Sequence, residues 1–240
     1  MPSPEAQALT AAHQRSVLQV AGLVLDRIRR AVRGADLDDI DSWWDGVSVQ
    51  MQREIAVGQS ATARLARAYL RRHAALEGVT LDPVRVALPG QQITTSLRVT
   101  GPVAFKRHVA ATGSPEGAVR AMSTQLQGAA ERLVLEGSRA TTMRTFAERD
   151  EIAGWRRTGS SPCAFCALLI SRGAVYSKGT VDFQAHDHDR CTPEPLYRRE
   201  PEPEEVRELY ETYKDVTAGT SGRESVEAWR AYWTSRNTGT

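Results

Sequence analysis

The chain has 240 residues, 41% of them apolar and 25% charged, enough to bury a sizeable core in one or two domains. Its 31 basic residues nearly cancel 29 acidic ones, and a net charge of +2 gives no strong global attraction to nucleic acid or to a membrane surface. The N-terminal MPSPEAQALTAAHQRS lacks the apolar stretch of an export signal, and no apolar run approaches the roughly 18 residues of a membrane span. Three cysteines, an odd number, then point to reduced thiols in a cytosolic setting.

Val17, Val20, Val24, Ile28 and Val32 recur at three- and four-residue spacing and predict an amphipathic helix from Pro4 to Arg33. Arg27, Arg29, Arg30 and Arg33 crowd its last turns, where cations suit the helix dipole. A second helix is expected from Asp36 to Gly58, with Asp38, Asp39 and Asp41 in its first turn as capping carboxylates rather than catalytic ones. A third runs from Ser60 to Leu76, its arginines and His73 forming a solvated basic edge. Pro83, Pro89 and Pro102 punctuate the next stretch, where the β-branched run around Ile93 and Val99 predicts a loop with at most a short strand over Gly78–Gly101, followed by a short helix from Pro102 to Ala111 with Pro at its first position. Ser114-Pro115-Glu116 is a strong helix start, with Met122, Leu126, Ala129 and Leu133 inward and an interruption near Gly137. Trp155 to Ser161 is expected to be a polar turn, and Ala174–Tyr176 to pair with residues near Asp182 and Phe183 as a small β-ribbon. TPEPLYRREPEPEE has the composition of a linker. Helices follow over Glu204–Val216 and Glu224–Arg236, with Tyr210 among the inward residues of the first and Trp229 and Trp233 on one face of the second.

Chemistry concentrates between Trp155 and Tyr197, which hold all three cysteines, Cys163, Cys166 and Cys191, together with His186 and His188. In C-x-x-C the two-residue gap lets one turn aim both sulfurs at a point, and a zinc ion then needs two more ligands. Cys191 and a histidine, His186 or His188, complete a Cys₃His set. Asp187 and Asp189 can orient an imidazole, and Asp189 is itself a candidate fourth ligand. Other readings of the same residues are buried apolar thiols, a redox pair lacking its usual βαβ setting, and a nucleophile. A nucleophilic site would use Cys166 (or Cys163), with His188 or His186 as base and Asp189 or Asp187 as orienter. A zinc-stapled nucleic-acid module would need Arg156, Arg157, Arg172, Lys178 and Arg190 in one patch.

PCAFCALLISRGAVY followed by F-x-A-H-D-H-x-x-C resembles the C-terminal core of the phage Mu F-type (MuF-like) minor head proteins, in the branch found in phages of actinobacteria. Cys163 and Cys166 match that family's first cysteine pair, and Arg172, Gly173 and Tyr176 its R-G-x-x-Y. His186 and Cys191 match the ends of its last element, while Asp189 stands where the family often has a cysteine. Gly137-Ser138-Arg139, Asp150 and Trp155 are similar to its lead-in helix. The resemblance covers about 60 residues. It implies a minor capsid protein of a tailed phage, present in several copies inside the capsid near the portal. Its implied partners are the portal protein, the major capsid protein or scaffold, and packaged DNA, with the host cytoplasm as the site of assembly. Some relatives carry the label capsid maturation protease, for which the chain shows no further motif.

The expected architecture is mainly α. Long N-terminal amphipathic helices are followed by an α+β Cys/His module with a short β-ribbon, and then by C-terminal helices. The divisions fall at 1–77 for the helical region, 78–113 for a linker with possible short strands, 114–197 for the MuF-like core, and 198–240 for the C-terminal linker and helices.

Overall fold

In the computed structural model, residues 2–159, 163–176, 183, 189–199 and 201–237 are described. The protein is mainly helical, with one small antiparallel sheet and C-terminal helices.

Ser3 caps helix α1 (Pro4–Val32), its hydroxyl accepting from the Ala6 N–H. Asp39 does the same for α2 (Ile40–Leu76) through the Ser42 N–H, so the acidic cluster caps as expected, and Asp41 also binds Lys106. The two helices expected over 36–76 are one. Gly58, the expected break, is buried where a β-carbon would meet Val24 and Val134 at 3.0–3.1 Å, so it permits close packing instead of ending the helix. Ser114 caps α5 (Pro115–Glu148), which also runs unbroken through Gly137. These three long helices enclose the main core, with Val24, Ile28, Ile55, Met122, Leu126 and Leu133 at its centre.

The stretch expected to be a loop or strand is irregular over 79–89 but helical from Gly90, and the short helix expected from Pro102 to Ala111 is present from Ala104. Helix α3 (Gly90–Arg98) buries Ile93 and Leu97, a π-helical turn spans Val99–Val103, and α4 (Ala104–Thr112) ends at left-handed Gly113. Tertiary burial of the four-residue Ile93/Leu97 spacing overrides the β-branched composition. The kink sits at Gly101, whose α-carbon lies against Trp44 with no room for a β-carbon.

Two further expectations change. Residues of the supposed polar turn form strand β1 (Gly154–Thr158), and residues of the supposed linker form β2 (Thr192–Leu196), paired antiparallel from Gly154↔Leu196 to Thr158↔Thr192. Pro195 is tolerated because Trp155 opposite donates its N–H to the Tyr176 carbonyl, away from β2. Tyr176 thus joins the ribbon through Trp155; its expected partner Asp182 lies outside the described residues. Helix α6 (Ala164–Ser171) follows Cys163, and Gly173, in the left-handed region, closes the turn after it. Helices α7 (Glu204–Val216) and α8 (Gly222–Asn237) pack on α6. Tyr210 is not inward but about half exposed. Among the described residues, no helix is long and apolar enough to cross a membrane.

Candidate metal centre

Helix α6 aims Cys166 inward, and the segment entering β2 brings Asp189 and Cys191 to it. A carboxylate oxygen of Asp189 and the two sulfurs lie within 4.8 Å of one another, all three residues buried. Donors sharing a zinc at about 2.0–2.3 Å sit roughly 3–4 Å apart, so a small closure suffices. Cys163, half-buried at the N-cap of α6, borders the same cluster. The chain therefore assembles two thiols and a carboxylate, donors of the kind zinc accepts, with the third thiol at the border of the cluster. His186, His188 and Asp187 lie outside the described residues.

Asp189 is the hub. Its Oδ1 accepts the Cys191 N–H at 2.8 Å and faces the Cys166 sulfur at 3.6 Å. Arg139 of α5 and Arg157 of β1 each approach the carboxylate at 3.5 Å. Arg139 also donates to the carbonyls of Asp189 (2.6 Å) and Cys191 (3.2 Å), fixing the backbone that presents the ligands. Phe183 lies against both guanidiniums, with the Arg157 carbon 3.8 Å from its ring centre. Burial lowers the Arg139 pKa, opposed by the Asp189 charge.

The hydrogen bond with Cys166, followed by burial, pushes the Cys191 thiol far up, and burial raises that of Cys163. Without a metal, both are protonated at neutral pH, the opposite of an activated nucleophile. Zinc would replace those protons, because thiolate is its ligand. Of the alternative catalytic group, Cys166 and Asp189 do meet, yet Cys166 is fully buried and His188 falls outside the described residues.

A family model described as VG15 protein matches residues 5–216. The chain belongs to the VG15 protein family. This family is phage-associated, which makes the chain a phage-encoded protein. The match runs from the first turn of α1 to the end of α7 and includes the whole thiol cluster; α8 lies beyond it. No curated protein and no solved structure matches the chain.

The VG15 match embraces a second polar cluster that spacing did not reveal. Glu194, on β2, accepts from Thr10 of α1 at 2.7 Å and from Arg156 of β1 at 2.6 Å. His73 of α2 faces it at 3.8 Å and is fully buried rather than part of a solvated edge. Its burial alone would raise the Glu194 pKa, but the facing His73 and Arg156 together hold it below the usual range. Tyr69 bonds Thr10 and stacks on His13, which in turn meets Ser138. Arg156 and Arg157, offered by sequence as a nucleic-acid patch, are buried in these networks instead. Strand alternation offered no signal, because both strands are buried on both faces, and WRRT and TPEPL carry charges and prolines where a buried strand carries apolar residues.

Proposed function

We propose that this VG15-family chain is a structural minor capsid protein of a tailed bacteriophage. It acts in head morphogenesis, with the portal and the capsid interior, and its thiol cluster holds a structural zinc. The observation that carries this reading is the burial of Cys166, Asp189 and Cys191 against Arg139 of the central helix. That arrangement suits a staple joining a short, core-poor ribbon to a helical bundle, with Cys166 and Cys191 closed to a substrate. Cys163, Cys166 and Cys191 would bind the metal as thiolates, with Asp189, His186 or His188 as the fourth donor. The phage association and the MuF-like motif support the assignment to the head, with the portal, the major capsid protein or scaffold, and packaged DNA as partners.

The test has two arms. Metal analysis of the purified protein is expected to give about one zinc per chain, with thiols unreactive until a chelator is added. Quantitative mass spectrometry of purified phage heads is expected to find the chain in several copies, and a phage lacking it to form defective heads. No metal with three reactive thiols would remove the staple. Absence of the chain from heads, or normal heads without it, would remove the structural role. A Cys166→Ser protein that folds normally but blocks cleavage of a head protein would favour a maturation protease instead.

A further inference from the structure

Helix α8 lies outside the VG15 match, yet its one fully buried large side chain reaches the thiol site. Trp229 packs on Ala167 and Leu168 of α6, among Leu209, Tyr213 and Trp233. Its indole Nε1–H donates to the Ala164 carbonyl at 2.7 Å. Ala164 is the first residue inside C-x-x-C, and the carbonyl of Cys163 before it accepts the Ala167 N–H at 3.0 Å. Helix α6 is thereby held on two sides. Cys166 faces the ribbon core, while Ala167 and Leu168 face the C-terminal helices. Gly219 and Gly222, both in the left-handed region, form the joint between α7 and α8.

We propose that α8 is a latch on the thiol site and Trp229 its positioning residue. Through the Ala164 carbonyl it fixes the turn that aims Cys163 and Cys166, and its ring closes the outer face of α6. The two thiols are thus pre-oriented by a side chain 65 residues along the chain from Ala164, on a helix tethered at a glycine joint. This reading rests on the staple proposed above for its metal consequence, but its effect on thiol access stands without a metal.

The test compares full-length Trp229→Phe, which keeps a ring in the cluster and removes the donor, with Leu209→Ala, which thins the same cluster without touching Ala164. Two rates are measured well below the melting temperature. They are zinc transfer to a colorimetric chelator, and alkylation of each cysteine in chelator-treated protein, resolved by peptide mass spectrometry. Trp229→Phe is expected to speed zinc transfer and Cys163 alkylation about three- to tenfold, the scale of one lost hydrogen bond. Leu209→Ala is expected to lower the melting temperature with little change in either rate. Unchanged rates in Trp229→Phe, or equal acceleration in Leu209→Ala, would overturn the latch. If the purified protein holds no zinc, the staple fails, and the alkylation rates still decide the latch.

Discussion

Gly137→Ala isolates the contact on which the bundle depends. A β-carbon there would stand 2.1 Å from the Gln59 carbonyl oxygen, 2.4 Å from Thr62 Oγ1 and 2.8 Å from the Gln59 carbonyl carbon. Two of those atoms are backbone in the middle of α2, so no rotamer change relieves the clash and α2 and α5 must separate by about 1 Å to recover ordinary contact. The separation stretches the buried bond from Thr62 Oγ1 to the Val134 carbonyl, now 2.7 Å. Overpacking costs about 1–3 kcal/mol and the strained buried hydrogen bond about 1 more, offset by up to about 1 kcal/mol of helix propensity gained. The net loss is about 1–4 kcal/mol, or roughly 3–12 °C in melting temperature for a chain of this size. Urea denaturation followed by far-UV circular dichroism measures it. Gly46→Ala is the internal control, because a β-carbon there meets nothing within 4 Å and should stabilise by about 0.5–1 kcal/mol. If Gly137→Ala is as stable as the wild type, or Gly46→Ala is equally damaging, the close crossing is not what holds these helices.

Asp189→Asn leaves Arg139 and Arg157 facing a neutral amide and is expected to cost about 3 kcal/mol in urea denaturation; a loss under about 1 would mean the guanidiniums do not depend on that carboxylate. Glu194→Gln should cost a similar amount at neutral pH. Because the folded carboxyl titrates below its ordinary 4.5, its contribution is present above that value and fades as pH falls through the lower folded pKa, so variant and wild type should converge in acid. Burial lowers the His13 pKa from 6.5 to about 4, so the unfolded chain takes up this proton first and stability should fall between pH 6.5 and 4, by about 3 kcal/mol at most. His13→Gln, whose amide can still meet Ser138, should flatten that part of the stability–pH curve; an unchanged slope would exclude His13 as its source.

The thiol site was partly legible. C-x-x-C and a third cysteine nearby marked Cys163, Cys166 and Cys191 as one unit, and the fold gathers Cys166 and Cys191 around Asp189 with Cys163 at the border. Asp189 was visible as a candidate ligand, but its hub role was not. That role depends on Arg139, fifty residues earlier on another element, and on Arg157, whose strand looked like a polar turn.

Periodicity and capping chemistry determined the long helices by themselves. Ser114 caps where expected, Asp39 is the member of the acidic cluster that caps α2, and the faces of α1 and α5 are the ones buried, because a helix makes its hydrogen bonds within its own sequence. Tertiary structure alone decided what Gly58 and Gly137 do. A glycine within a helix reads as a break until a second helix is seen lying against it. It also decided that TPEPL is a strand and that Arg156 and Glu194 belong in the core. A strand finds its hydrogen-bond partners across the chain, and a buried charge is tolerated only where a partner from another element meets it.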